Sequence, residues 1–421
     1  MQGRSLRFCF VTTFYPPYHF GGDALYLFRL AKQLTLAGHQ VTVVHCADSY
    51  ELLTRSGPRG DFANPPGVTV HALRVGPRGL SPLVTYLSGR PGLKAKALDE
   101  IFREPFDVVH FHQMTLFGPG ALRYGEGAVR LYTTHDHWLL CPMYDLWKYN
   151  REHCEQPACV RCQLSFRRPP QLWRGTSLLR EMLPNVDLFL APSQSVIERH
   201  RERGFDYPMR QLPLFFPLEE TGPAPESDRA AAQALSRGRP YFLFVGRLVK
   251  LKGVHTLIEA FRDYSNADLL IAGDGAYGDT LRRQARDLEN VRFLGHVHPQ
   301  VLRALYADAI ATLVPSIVHE TFGAIALESL AQRTPVIGRD LGGVGELVRE
   351  SGGGIVYETN DQLLAAMESL RTDPELRREL GERGRAAYVE RWSEEPHLRR
   401  YFELIDEARD LASGGRHLVA S

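Results

Sequence analysis

Apolar and polar positions follow a repeating order along this chain. A short apolar run ends at glycine, proline or a polar residue. A stretch with apolar residues three and four apart comes next, and then another apolar run begins. The runs at 7–11 (RFCFV), 41–44 (VTVV), 107–111 (DVVHF), 131–134 (LYTT), 187–191 (DLFLA), 241–245 (YFLFV), 269–272 (LLIA), 291–295 (VRFLG), 310–314 (IATLV), 335–337 (PVI) and 355–357 (IVY) read as strands buried on both faces. The intervening stretches read as helices. They cover 24–37, stopped by Gly38, and 195–203, stopped by Gly204. Another, after Gly253, carries Leu257, Ile258 and Phe261; another carries Ala324, Leu327, Leu330 and Ala331 on one face. Further helical runs begin at Gln362 and Glu375 and cover 396–411, with a loose tail expected from Ser413. Strands alternating with helices predict α/β architecture with parallel sheets.

Length changes the picture first. With 421 residues the chain exceeds one ordinary core, so two domains are expected. The polar, proline-containing stretch 217–240 marks the boundary, giving an amino-terminal domain over 1–217 and a second over 218–395. Hydrophobic residues at 44% and charged residues at 24% are those of a globular protein, and a formal net charge of +1 argues against nucleic acid as the main partner. No apolar run is long enough to cross a bilayer, and 6–11 is too short for a signal peptide, so a cytoplasmic protein is expected. Residues 52–97 read as loop-rich, with Arg55, Arg59, Arg74, Arg78, Arg90, Lys94 and Lys96 among Leu80, Leu83, Tyr86, Leu87 and Leu93. Peripheral contact with an acidic membrane surface is one reading of that stretch; a solvated face over a short core helix is the favoured one.

Candidate chemistry gathers where strands end, because ligands of such sheets sit beyond the carboxyl ends of strands and at helix N-termini. After the first strand come Phe14-Tyr15-Pro16-Pro17 and Gly21-Gly22, whose glycines let backbone approach a ligand. The strands at 107–111 and 131–134 end at histidines: His110 and His112, which carry no assigned role, then His135 and Asp136. Arg247 and Lys252 stand five apart between Gly246 and Gly253, where a planar fork and a point charge suit a diphosphate. Gly273, in an Ala-Gly-Asp-Gly turn, suits close approach of a base or ribose. Finally Glu320 precedes Thr321-Phe322-Gly323, and Glu328 lies about two turns inside the next helix. Ionised carboxylates accept from pairs of hydroxyls, and the first-turn N–H groups favour an anion. Diol acceptors beside anion donors suit a sugar nucleotide.

Four of the six cysteines fall in one segment, Cys141, Cys154, Cys159 and Cys162, spaced C-x12-C-x4-C-x2-C. Four clustered thiols in a cytoplasmic chain read as a closed, structural zinc site in an insertion over about 138–165, against four reduced thiols that merely cluster. The residues between them, among them Asp145, Lys148, Asn150, Arg151 and Glu152, are too polar for a core of their own.

These motifs share a pattern. P-S-x-x-x-E-x-F-G-x-x-x-x-E-x-x-A from Pro315, then T-P-V-I and G-G-x-x-E ending at Glu346, joined to G-R-L…K-G at 246–253 and F-x-P-P…G-G at 14–22, resembles the family-four retaining glycosyltransferases of the GT-B fold. Arg333 and Gly345 depart from the family's usual Gly and Pro. The resemblance implies two Rossmann-like domains with parallel sheets facing across a cleft, and a last helix over 396–421 crossing back to the first. It implies that Gly21 and Gly22 face the donor phosphate and the acceptor, and that His135 contacts the donor hexose. Gly246, Arg247 and Lys252 would meet the diphosphate, Glu320 the transferred sugar, Glu328 the ribose, with Gly273, Thr321, Phe322 and Gly323 along the donor. Transfer with retention to a glycan, lipid-linked glycan or small metabolite is expected. No catalytic metal or other cofactor is expected, since no D-x-D motif sits at a strand end, and no protein nucleophile can be named. A subset of the family carries further cysteines after H-D-x-W-L-x-C-P, read here as His135 to Pro142. Two alternatives stand beside this: another GT-B nucleotide-sugar enzyme such as a non-hydrolysing epimerase, and a zinc-stapled binding module without turnover.

Overall fold

The computed structural model describes residues 4–54, 58, 62–77 and 79–419, with side chains as far as Ser413. Arg55, Arg59 and Arg78 lie outside the described residues. The chain forms two compact units. The first comprises Met1–Pro192, Val196–Leu212 and Leu398–Ser421; the second comprises Ser193–Ser195 and Pro213–His397.

In the first unit the strands are β1 (Arg7–Thr12), β2 (Gln40–Cys46), β3 (Val68–Leu73), β4 (Val108–Phe111), β5 (Val129–Thr133), a two-residue pair β6 (Trp147–Lys148) and β7 (Glu152–His153), β8 (Leu188–Ala191) and β9 (Met209–Gln211). Seven of them form one parallel sheet in the order β3-β2-β1-β4-β5-β8-β9. In the second unit β10 (Tyr241–Val245), β11 (Asp268–Ala272), β12 (Val291–Gly295), β13 (Thr312–Val314), β14 (Val336–Arg339) and β15 (Gly354–Tyr357) form a parallel sheet in the order β12-β11-β10-β13-β14-β15. The strands are apolar throughout because helices cover both faces: Phe8, Cys9, Phe10 and Val11 are buried, as are Leu269, Leu270, Ile271 and Ala272. Each sheet is laid down outward from its middle. The chain runs β1 to β3 toward one edge and then resumes at β4 on the other side of β1; it runs β10 to β12 and then resumes at β13. The β1/β4 and β10/β13 junctions are therefore the topological switch points, and the crevice beyond their carboxyl ends is where such sheets bind ligands.

Three sequence expectations change. Residues 52–97 are not merely loop-rich: they supply edge strand β3 and the helices Leu80–Ser88 and Ala95–Ile101. Strand β3 escapes notice because its burial pattern is only partial, as befits a sheet edge. The stretch 217–240 contains the helix Glu226–Ser236, which buries only Ala232 and Ser236, so no apolar stripe signalled it. The last helix runs from Glu394 to Val419, past the stop expected near Leu411. Gly414 and Gly415 weaken a helix but keep their N–H donors, so unlike proline they need not end it.

Candidate active site

In the second unit, the loops after β10 and β13 flank the switch point. The first carries Gly246, Arg247 and, in a 3-10 turn over Lys250–Lys252, Lys252. The second carries Ser316 and Glu320 before the helix Ala324–Ala331. The two loops are brought together by backbone. Gly253 has φ 71°, left-handed, and a β-carbon there would overlap the Pro315 carbonyl. The Ile317 N–H donates to the Leu251 carbonyl at 3.0 Å. The result is an ion pair: Lys252 Nζ donates to Glu320 Oε1 at 2.6 Å, with both side chains mostly out of solvent, and the Ser316 hydroxyl donates to the same oxygen. Burial alone would raise the Glu320 carboxyl, but the Lys252 charge and hydrogen bond, Ser316 and the nearby Arg247 charge outweigh it, so Glu320 titrates below its ordinary value. Arg247 itself is exposed on the same loop.

A second close approach fixes the Glu320 loop from the other side. A β-carbon on Gly342 would lie 2.8 Å from the Glu320 carbonyl oxygen, one on Gly343 would lie 2.7 Å from Thr321 O, and the Gly343 N–H donates to Glu320 O at 2.7 Å. Phe322 is buried, and Gly323, with φ 102°, turns the chain into the helix. Glu328 sits one turn into that helix, not two, and accepts from the Tyr306 hydroxyl at 3.1 Å. Burial and the Glu328 charge hold Tyr306 well above the usual phenol range. Glu346 accepts from the Gln194 and Ser195 N–H groups at 2.7 and 2.9 Å. On the other flank, Gly246 and Gly273 meet backbone to backbone, and a β-carbon on Gly273 would overlap the Gly246 carbonyl. The structure thus brings Gly246, Arg247, Lys252, Gly273, Glu320, Thr321, Phe322, Gly323 and Glu328 to the carboxyl edge of one sheet.

In the first unit the switch point is occupied by histidines. His110 and His112, two residues apart on β4 and its end, lie on one face, as strand geometry requires. His110 bonds Thr133 Oγ1 and the Tyr401 hydroxyl, each at 2.8 Å. His112 Nδ1 lies 2.9 Å from His135 Nε2, so one ring donates and the other accepts. Burial lowers both rings, His135 to about 3 and His112 well below the ordinary value, which makes a neutral pair at physiological pH. Tyr26 packs edge-on against His135 at 5.5 Å. Tyr26 lies one turn into the helix Gly22–Leu36, whose first turn, behind Gly21 at φ 91°, has no side-chain cap. Gly21, Gly22 and His135 therefore share a neighbourhood. Asp136 turns away: it accepts the Trp138 N–H at 2.9 Å, and burial raises it to about 7.

The four cysteines are all free thiols, and all four line one cavity of about 10 Å³ with Pro142, Met143, Trp147, Lys148 and Ala158. The Tyr149 N–H points at Cys162 Sγ at 3.5 Å. Burial pushes the Cys141 thiol up to about 11. Among the described residues no three His, Cys, Asp or Glu side chains are placed to hold a metal ion, so the closed ligand set expected from the spacing is not preformed.

Comparison with known proteins decides the family. The glycosyltransferase family 4 model matches residues 20–220 and the glycosyl transferases group 1 model matches 227–387. The chain belongs to the family-four glycosyltransferases. This glycosyltransferase is 31% identical to a lipopolysaccharide core biosynthesis glycosyltransferase of Rhizobium meliloti over 52% of the chain and 64% of that protein. It is 27% identical to an uncharacterized glycosyltransferase of Methanocaldococcus jannaschii over 86% of the chain and 87% of that protein. Its fold matches a sucrose-phosphate synthase of Thermosynechococcus elongatus with TM-score 0.71 at 21% identity, covering 99% of this chain and all of the other. An Anabaena protein solved with UDP-glucose matches with TM-score 0.68 at 17% identity, covering 96% of this chain and all of the other. The fold is GT-B.

Sequence reasoning gave no role to three neighbours of the candidate residues, His112 in the first unit and Ser316 and Tyr306 in the second. His112 has a signal, since alternation on β4 puts it beside His110. Ser316 has one too, four residues before Glu320 in the P-S-x-x-x-E motif, whereas Tyr306 has none, because its partner Glu328 lies 22 positions away on another helix.

Two outcomes are expected. Gly253→Ala should destabilise the second unit by about 1–3 kcal/mol, from left-handed strain plus the overlap with Pro315. Gly238→Ala, at φ 65° with nothing within 4 Å, carries the strain alone and should cost less. Equal losses in thermal unfolding would refute the packing account. Asp136 is raised from 3.8 to about 7, so its contribution is full below the ordinary value and is lost as pH rises through about 7. Asp136→Asn keeps an acceptor for Trp138 and should gain stability over wild type between about pH 5 and pH 8; an unfolding midpoint difference that stays flat with pH would count against it.

Proposed function

We propose that this protein transfers a sugar from a nucleotide-sugar donor to an acceptor hydroxyl with retention at the anomeric carbon. The observation that carries the reading is the Lys252–Glu320 pair, with Arg247 beside it, held at the β10/β13 switch point. A leaving nucleoside diphosphate gains negative charge as the glycosidic bond breaks. Arg247 offers a planar fork and Lys252 an ammonium with three N–H donors, one of them already spent on Glu320. These charges are positioned before the donor arrives, so little reorganisation opposes their action in the transition state. Glu320, kept ionised by its partners, is assigned to hydroxyls of the transferred sugar. Glu328 is assigned to the ribose diol. In the first unit the neutral His135 ring suits a sugar hydroxyl, and the uncapped Gly21–Gly22 turn suits an anion. Retention is assigned to a same-face displacement in which the leaving phosphate takes the acceptor proton. The acceptor is a glycan, a lipid-linked glycan or a small hydroxylated metabolite. UDP-glucose, a ligand of the Anabaena neighbour, is the first donor to try, and UDP the first free nucleotide for binding.

The cysteine segment carries a separate, structural role. Four sulfurs around one cavity the size of a single small ion, in a segment whose only sheet is the two-residue pair β6–β7, favour a zinc staple that draws the thiols together on binding.

Turnover and donor binding, measured separately, test the catalytic reading. Lys252→Ala and Arg247→Ala should each depress turnover by about a hundred-fold or more with a smaller loss of donor affinity. Glu328→Gln should weaken free nucleoside diphosphate, and Glu320→Gln should spare it. Release of nucleoside diphosphate should require an acceptor; conversion of the donor into an isomeric nucleotide sugar without one favours the epimerase. Near-normal turnover of Lys252→Ala would sink the mechanism. For the staple, purified protein should carry about one zinc per chain, lost in Cys159→Ser; zinc-free protein of unchanged unfolding midpoint would dismiss it.

A further inference from the structure

One surface of the first unit takes no part in the chemistry above. From residue 62 to 98 the sequence has no acidic residue, and from 156 to 180 it has none either, although acidic residues nearly equal basic ones in the whole chain, 49 against 50. The structure sets these two stretches side by side. The Trp173 indole N–H donates to the Tyr86 carbonyl at 3.0 Å, and the Tyr86 hydroxyl lies 3.4 Å from Gln163 Oε1.

The helix Leu80–Ser88 in the first stretch is inside out. Its polar Ser81 and Thr85 are buried, while Leu80, Leu83 and Leu87, at helical spacing, are 42–46% exposed. The second stretch exposes Leu164 at 57% and Leu172 at 71%. Scattered leucines on a surface need no explanation, but a helix that buries its hydroxyls and presents its leucines does. In the same two stretches Arg90, Lys96, Arg161, Arg167 and Arg180 are exposed. Glu51, which lies across from the first stretch, is already paired with Arg74 at 2.9 Å.

We propose that this face rests on a membrane surface carrying anionic phospholipid. Leucines enter the boundary between headgroups and acyl chains while the long basic side chains reach lipid phosphates from the rim. The charge pattern selects this occupant. A second copy of the chain would set like charges against like across a two-fold contact. Single-stranded nucleic acid would call for exposed aromatic platforms, and the exposed apolar side chains here are aliphatic.

The test is co-sedimentation of the full chain with vesicles of phosphatidylcholine alone and of phosphatidylcholine mixed with phosphatidylglycerol. Binding should need the anionic lipid and weaken as salt is raised. Arg161→Glu with Arg167→Glu, and separately Leu83→Ser with Leu87→Ser, should each lower the partition coefficient by about ten-fold or more. Leu36→Ser, which changes a leucine 70% exposed on the helix Gly22–Leu36, should leave it unchanged. No binding to either vesicle, equal binding to both, or wild-type binding by both double variants overturns the proposal. So does concentration-dependent dimerisation without vesicles that Leu83→Ser with Leu87→Ser abolishes. If a variant loses its near-ultraviolet circular dichroism, the lipid and salt dependence of the wild-type chain decides.

Discussion

The contact on which the second unit's chemistry depends is backbone against backbone. Gly253 ends the Lys252 turn in left-handed conformation and lies flat against the Pro315 carbonyl, where no other residue has room. That approach brings the loop after β10 within reach of the loop after β13. Without it Lys252 and Glu320 are two surface charges 68 positions apart in the chain. Gly342 and Gly343 press on the Glu320 loop from the far side, and Gly246 against Gly273 does the same for the loop carrying Arg247. The charged side chains are few, and glycines at the sheet's carboxyl edge decide where they point. This division of labour follows from the parallel sheet itself: its strands end together, so loops must pack closely to build anything between them.

The first unit meets the same geometric problem with different chemistry. At the β1/β4 junction His110 links the Tyr401 hydroxyl to Thr133, and the neutral rings of His112 and His135 lie alongside, bonded to each other. Burial is the cause of their neutrality. A buried imidazolium is costly to form, and the His112 and His135 rings stack against each other out of solvent. The second unit keeps charge at its switch point because Lys252 and Glu320 are paired and Arg247 is exposed to solvent.

Most of this was legible in sequence where one segment carries the signal. Strand β10 at Tyr241–Val245 and strand β12 at Val291–Gly295 have the bounds that their apolar runs predict, and the motif residues Arg247, Lys252, Glu320 and Glu328 fall on one sheet edge as the strand–loop–helix order requires. What was not legible depends on distant partners. Edge strand β3 buries only Leu73 fully, so no apolar run marks it. Tyr306 reaches Glu328 from a different helix, and Tyr401 reaches His110 across 291 positions. The helix Leu80–Ser88 misleads for a physical reason: leucines at helical spacing normally mark the buried face, and here they mark the exposed one.

The Lys252–Glu320 pair also explains how a charged site survives without substrate. An isolated carboxylate this far out of solvent would tend to protonate, and an isolated ammonium to lose its proton. Paired at 2.6 Å with Lys252, with Ser316 completing the acceptor, the Glu320 carboxylate stays ionised, and its depressed value records the balance. Lowering the pH through that depressed value would remove the carboxylate charge, and with it the stabilisation that is present above the ordinary carboxylate range. A phosphate arriving beside Lys252 does not have to break the pair, since an ammonium can donate to a carboxylate and a phosphate at once. Arg247, lying outside the pair on the exposed part of the same loop, supplies the second positive charge without the cost of burial. The arrangement therefore holds one cation rigidly and leaves the other solvated, and a dianionic leaving group can use both.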